Sequence, residues 1–578
     1  MTSAYDRYRA ADGELPEGSW TWFLHGAGED NMGQDGEPEL VPVPTPDADH
    51  MLVRIDSVGL CFSDVKIMRQ GGSHPKLYDR DLSADPTRLG HEVSLTVIEV
   101  GENLRDRYHA GQRLAVQPDI YQDGKSTAYG YTIPGGLTQY HLMGAEMLET
   151  DDGACLLPLP ETMGYAEAST LEPWGCVMAA YTQRRRLEPK PGGTMWIIGR
   201  PGDERDYSFS SGLDAPATVV LTDVPASVAA LVEQASATVV VRDGIGDGDH
   251  QALVDELTDG AGFDDIVVLD PRSAATVGSV ATHIARRGTL NLVGETELDG
   301  LVATDVGRLH YDYTAYVGGR GPDIAASYGE ARNRADLRRR GTTVFVGAGG
   351  PMGLMHVQRA MQQKDGPRTI VATEVSDERL KSLEDRLGHL AEVNDCELVT
   401  FNSQTAEQSL HEFVMGITDG RGADDVVVSV PIAEVMAEAD TLMRSDGMLV
   451  FFAGVPNGTL APLNLSAVYL DNAQYTGTSG LTIHDQQQVV DLATAGQLSP
   501  GSIVGAVGGM RAAKDGLQAL VDGSYSGKVL IFPQIHDLPL MGLDELAERL
   551  PEVAAQLGPG GTWNGEVERA LFDSQLGG

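Results

Sequence analysis

Hydrophobic positions along the chain fall into two textures. Up to about residue 190 the apolar runs are short, rich in β-branched residues and bounded by Gly, Pro and Asp, as in MLVRIDSVGL (51–60), HEVSLTVIEVG (91–101), QRLAVQP (112–118) and GGLTQYHLM (135–143). That pattern predicts a β-barrel-like lobe. From PGGTMWIIG (191–199) to SGKVLIFP (526–533), apolar strands alternate with helical stretches, as βαβ units around a parallel sheet require. Beyond Pro533, LMGLDELAERLPEVAAQL (540–557) has the period of an amphipathic helix.

The α/β part repeats itself. GTMWIIG (193–199) matches GTTVFVG (341–347), TVVLTDV (218–224) matches TIVATEV (369–375), and TDGAGFDDIVVLDP (258–271) matches TDGRGADDVVVSVP (418–431). RRGTLNLVGE (286–295) likewise matches RSDGMLVFFAGV (444–455), and YTAYVGGRG (313–321) parallels AQYTGTSG (473–480). Five matches in one order predict two tandem doubly wound domains, 191–335 and 336–527, between a lobe at 1–190 and a tail at 528–578 that returns to it. Edge pairing between TAYVGG and AQYTGT would join the two sheets.

The copies differ where a dinucleotide would lie. In the second, the strand TTVFVG runs into Gly347, Gly349, Gly350, Pro351, Met352 and Gly353, and a helical run follows. The three glycines 347, 350 and 353 allow a tight turn and close approach of a pyrophosphate to a helix N-terminus. Glu374 ends the next strand, where a carboxylate binds a ribose diol and repels a 2′-phosphate, so NAD is expected over NADP. The first copy keeps Asp223 at the equivalent strand end, but its turn reads GRPGDERDYSFSSG (199–212). It is degenerate and is not expected to bind dinucleotide.

A net charge of -42 and a pI near 4.5 exclude nucleic acid and anionic membranes as partners. The four cysteines form no C-x-x-C pair, and neither a secretory leader nor a long apolar run is visible, so a soluble cytoplasmic protein is expected. Against that acidity, Lys66, Arg69, Lys76, Arg80 and Arg88 cluster within one segment, a candidate phosphate site.

The first lobe also holds Gly59-Leu60-Cys61-Phe62-Ser63-Asp64, Gly90-His91-Glu92 and Leu171-Glu172-Pro173-Trp174-Gly175-Cys176. Thiolate, imidazole and carboxylate are the ligand types of a catalytic zinc with one open position. In this order they resemble the G-x-C-x-[ST]-D, G-H-E and E-P motifs of the zinc-dependent medium-chain alcohol and polyol dehydrogenases. E-P-W-G-C-V-x-A-A-Y and G-P-M-G-L-M-H-V-Q-R-A are similar to the sorbose-1-phosphate reductase group. The resemblance implies a GroES-like catalytic domain followed by Rossmann-type domains. It implies one zinc per chain at Cys61, His91, Glu92 and Glu172, with Ser63 relaying the alcohol proton. A small polyol or ketose, or a phosphate ester of one, would be the substrate. The four-cysteine structural zinc lobe of many relatives is absent, and Cys176 is read as a packing residue that could replace Glu172. The chain would be a monomer with an internal pseudo-dimer, or a homo-oligomer. A zinc-independent quinone or enone reductase and a non-catalytic dinucleotide-binding scaffold are the competing readings.

Overall fold

The computed structural model describes residues 3–11, 13–183 and 185–577 of the 578. The N-terminal lobe is built on two long antiparallel strands, β1 (Met51–Gly59) and β2 (Glu92–Val100). Helix α1 (Phe62–Gln70) follows β1. β3 (Arg113–Val116), β4 (Tyr140–Met143) and β5 (Leu156–Pro158) extend the sheet, and α2 (Leu171–Ala179) leads out of the lobe. Every residue of β1 is buried, including Arg54 and Asp56. These two pair at 2.8 Å, and the Tyr8 hydroxyl donates to Asp56 at 2.6 Å, which satisfies charges that would otherwise destabilise the interior.

The first α/β copy runs β6 (Thr194–Ile198), β7 (Thr218–Thr222), β8 (Thr238–Val241), β9 (Phe263–Leu269), β10 (Ile284–Val293), β11 (Val302–Asp305), α3 (Val306–Tyr311) and β12 (Ala315–Gly319). The second runs β13 (Thr342–Val346), α4 (Pro351–Gln362), β14 (Thr369–Glu374), β15 (Glu397–Asn402), β16 (Ala423–Val428) and β17 (Met443–Phe451). It continues through β18 (Leu460–Leu463), α5 (Ser466–Leu470), β19 (Gln474–Gly477) and α6 (Ile483–Thr494). Each forms a six-stranded parallel sheet, in the orders β8-β7-β6-β9-β10-β12 and β15-β14-β13-β16-β17-β19. The internal repeat is therefore a repeat of whole Rossmann-type sheets, with the strand order reversing beside β6 and beside β13.

Two expectations about the C-terminal part of the chain need correction. The return to the first lobe begins at β20 (Val504–Gly509), not at residue 528, because β20 and β21 (Lys528–Phe532) both join the eight-stranded sheet through β1. Together with the intervening α7 (Ala513–Asp522) they form one more parallel βαβ unit, whose sequence texture is that of the preceding domain. The tail is not one amphipathic helix either. After β22 (Met541–Gly542), α8 (Leu546–Arg549) stops at Leu550, which has a non-helical backbone (φ -140°, ψ 66°). Pro551 opens a separate turn, α9 (Pro551–Ala554), before α10 (Gly565–Leu576). A residue preceding proline disfavours helical backbone.

The two copies meet reciprocally, but not by the edge pairing expected. β12 and β19 belong to separate sheets, while β11 pairs antiparallel with β18, from Val302↔Leu463 to Asp305↔Leu460. Each edge strand is covered by the other copy's helix. A Cβ on Gly318 would lie 2.8 Å from Tyr469 of α5, and one on Gly477 would lie 2.8 Å from the Leu309 carbonyl of α3. The two edge strands lie beside one another without ladder hydrogen bonds. One apolar core runs across the seam and contains Leu292, Leu309 and Tyr316 with Leu463, Tyr469 and Tyr475. Among the described residues no helix is long and apolar enough to cross a membrane.

Candidate active site

Cys61 is the N-cap of α1, His91 precedes β2, and Glu92 is its first residue. Their ligand atoms all lie within 4.8 Å of one another. Asp64, three residues into the same motif, organises the group. Its buried carboxylate accepts from the Cys61 N–H at 2.9 Å and the Gly90 N–H at 3.0 Å, and lies 3.3 Å from His91 Nδ1. With Nδ1–H donating to Asp64, Nε2 of His91 is left to bind a metal, the usual role of a carboxylate behind a ligating histidine.

Glu92 reveals a partner that sequence reading missed. Lys528, the first residue of β21, places Nζ 2.5 Å from Glu92 Oε1, both side chains being buried. Burial works against the ammonium, yet the Glu92 and Cys61 charges hold its pKa above the ordinary lysine value. The other oxygen, Oε2, is buried without a partner, and an orphaned carboxylate oxygen next to a thiol and an imidazole fits a zinc ion. Glu172, in the first turn of α2, stands outside the close group of three. Burial, and then Glu92, push its pKa up against the pull of His91 and Lys528. Cys176 Sγ donates to Glu172 Oε1 at 3.5 Å, and burial followed by the Glu172 charge raises the thiol pKa well above its usual value. Cys176 thus serves as a donor holding Glu172.

Over this group lies Tyr131, its ring centroid 5.7 Å from that of His91 and its hydroxyl beside Ser63. Lys76 sits 4.8 Å above the Tyr131 ring and 3.3 Å from Asp119. Lys66, exposed on α1 and without an ion pair among the described residues, bears electrostatically on both His74 and His310. Arg69 lies exposed in the last turn of α1. Arg80 leaves the candidate phosphate set, because its guanidinium is committed to the Asp85, Thr132 and Pro86 carbonyls. Arg88 leaves it too, enclosed and donating to the Gly135 carbonyl.

The first copy contributes to this cleft. α3 brings His310 and Tyr311 to the end of β17, where a Cβ on Gly454 would lie 2.4 Å from the Tyr311 hydroxyl and 3.0 Å from His310 Nε2. Burial lowers the His310 pKa to about 4, the Phe451 carbonyl at 3.3 Å opposes the shift, and Lys66 adds to it. The imidazole is therefore neutral.

The glycine turn has the expected form. Gly347 takes φ +80°, Pro351 opens α4, and nothing lies within 4 Å of a Cβ on Gly350, leaving backbone open to a ligand. Gly349 and Met352 flank that opening. Glu374 Oε2 accepts from the Gly349 N–H at 3.2 Å. A Cβ on Gly353 would sit 2.2 Å from the Gly347 carbonyl oxygen. Gly353→Ala must therefore push α4 off β13, and is expected to weaken NADH binding about fivefold to a hundredfold, an overpacking cost of about 1–3 kcal/mol. NADH fluorescence titration measures this, with circular dichroism checking that the variant is folded.

In the first copy the same place is filled. Residues 199–212 form no helix, and Arg200, Arg205 and Arg272 converge on the buried Asp270 at 2.7, 3.0 and 2.8 Å. Asp223 accepts from the Gly244 N–H at 3.1 Å. An ion-pair network occupies the strand ends where a pyrophosphate would rest.

Comparison with known proteins agrees with this architecture. Residues 47–150 match the alcohol dehydrogenase GroES-like domain, and residues 351–495 match the zinc-binding dehydrogenase domain. The chain is 24% identical over 541 residues to mannitol-1-phosphate 5-dehydrogenase of Aliivibrio fischeri, covering 92% of this chain and 93% of the relative. It is 21% identical over 544 residues to L-sorbose 1-phosphate reductase of Klebsiella pneumoniae, covering 92% and 94%. An alcohol dehydrogenase of Escherichia coli CFT073, solved with NADH, shares the fold with a TM-score of 0.50 at 14% identity, over 90% of this chain and all of that one. The chain thus carries matches to both domains of the zinc-type dehydrogenases and is similar along nine-tenths of its length to members that act on polyols. It is an oxidoreductase of the polyol and alcohol dehydrogenase type.

Proposed function

We propose that this protein interconverts a polyol and a ketose, with NAD in the 347–353 cradle and one zinc held by Cys61, His91 and Glu92, with Glu172 as a direct or water-mediated fourth ligand. The carrying observation is the close group of three with an unpartnered buried carboxylate oxygen. When bound, zinc supplies a Lewis acid for the substrate oxygen and the nicotinamide exchanges hydride with the adjacent carbon. Asp64 fixes the tautomer of His91. Ser63, beside the Tyr131 phenol, is placed to pass the alcohol proton outward.

A sugar phosphate is the favoured substrate class. Two relatives that align along nine-tenths of the chain, the extra copy included, are named for phosphorylated sugars. Here Lys66 has no ion pair among the described residues, Lys76 stands nearby, and Tyr311 offers a hydroxyl from α3. Lys66→Met is expected to raise KM for a ketose phosphate about tenfold, the worth of one charge-assisted contact, and to leave KM for the unphosphorylated ketose unchanged. Equal effects on both would remove Lys66 from phosphate recognition.

Glu374 favours NAD. Arg379 borders the same turn, its Cβ 2.7 Å from a Cβ on Gly349, so some use of NADP is expected. The reading as a whole is tested by elemental zinc analysis beside NADH oxidation with ketoses and ketose phosphates. About one zinc per chain with ketose-dependent turnover supports it. A metal-free protein that reduces enones would overturn it.

A further inference from the structure

At the seam between the two α/β copies lies a cavity of about 30 Å³ that the site above does not use. It has room for a small ion and not for a nucleotide. Four parts of the chain wall it: Thr182 and Arg185 beyond α2, Thr314 before β12, Arg334 from the connection between the copies, and Thr476 and Thr478 around the end of β19. Among the described residues no acidic side chain lines it, although acids outnumber bases by 84 to 42 in this chain.

The two arginines are placed differently. Arg334 is paired with Asp425. Among the described residues Arg185 has only neutral partners, Asn333 Oδ1 at 3.2 Å and the Tyr475 carbonyl at 3.3 Å. Close packing without a compensating acid lowers its pKa to about 10. Arg185 is half-buried, and a cation drawn out of water without a counter-charge is costly, so that proteins ordinarily supply one. Thr478 is 4% exposed with its hydroxyl unpartnered, and the Arg334 Nε–H is buried and unpartnered as well. The Thr314 hydroxyl, equally buried, has the Tyr316 phenol near it.

We propose that this cavity binds a small inorganic anion, of the chloride or phosphate class, between the Arg185 guanidinium and the Thr478 hydroxyl. The anion supplies the missing counter-charge and accepts the orphaned donors. It ties the end of α2, whose first turn carries Glu172, to the edge strands of both copies.

Thermal melting of the full-length protein tests this. Sodium chloride and sodium phosphate are titrated at constant ionic strength, made up with sodium gluconate, whose anion is too large for the cavity. A saturable rise in Tm with chloride or phosphate is expected, since a ligand that binds only the folded state stabilises it by mass action. Constant ionic strength removes the general screening that a strongly acidic chain would show. Thr478→Val, a change of nearly equal volume, is expected to raise the apparent Kd roughly fivefold, the loss of one hydrogen bond. Arg185→Met is expected to abolish the response. A Tm indifferent to both salts in the wild type, or a response unchanged in Thr478→Val, would overturn the proposal.

Discussion

Cys61→Ser will lose its zinc and, with it, turnover. Zinc polarisation of a substrate oxygen is worth several kcal/mol, and each ~1.4 kcal/mol is tenfold in rate, so a fall on the order of a thousandfold in kcat/KM is expected. The fold should survive. Cys61 caps α1 through its backbone, whose N–H is held by Asp64, and a serine preserves that. Elemental analysis should find well under one zinc per variant chain, and NADH titration should find the cradle intact, because residues 347–353 are held by β13 and α4 of the second copy. A variant that keeps both its zinc and its activity would remove Cys61 from the ligand set.

Lys528→Met is expected to have the largest effect on stability. The Lys528–Glu92 pair is 2.5 Å long and almost fully buried. Removing one partner of such a pair strands the other charge, which costs about 3–5 kcal/mol, whereas removing both is often nearly neutral. In zinc-stripped protein, Lys528→Met should therefore lower the urea midpoint sharply. The double variant Glu92→Gln with Lys528→Met should recover most of the loss. Equal destabilisation in single and double variants would mean that the pair matters for shape rather than charge.

What could be read from sequence was local. Cys61 and Asp64 lie within four positions, and His91 adjoins Glu92, so their chemistry shows as motifs. The glycine turn is also local, because strand, turn and helix follow one another. Lys528 was invisible, since it meets Glu92 across 436 positions only because β21 pairs with β1. His310 and Tyr311 were hidden for another reason: they reach the cleft by way of a helix that crosses from one copy to the other. The boundary near residue 504 was misread because a parallel βαβ unit has the same periodicity in either domain. Among the basic residues at 66–88, composition could not separate Lys66, which is exposed on α1, from Arg80 and Arg88, which brace backbone carbonyls.

The reciprocal seam of β11 with β18 has a bearing on how the protein behaves in dilute solution. Two separate subunits joined by such a face would find one another by collision and part as their concentration falls. Here residues 320–341 connect the two sheets, and a short connection holds its ends at an effective concentration in the millimolar range. The cleft, which takes Tyr311 from one sheet and Gly454 from the other, stays assembled however few molecules the cell contains.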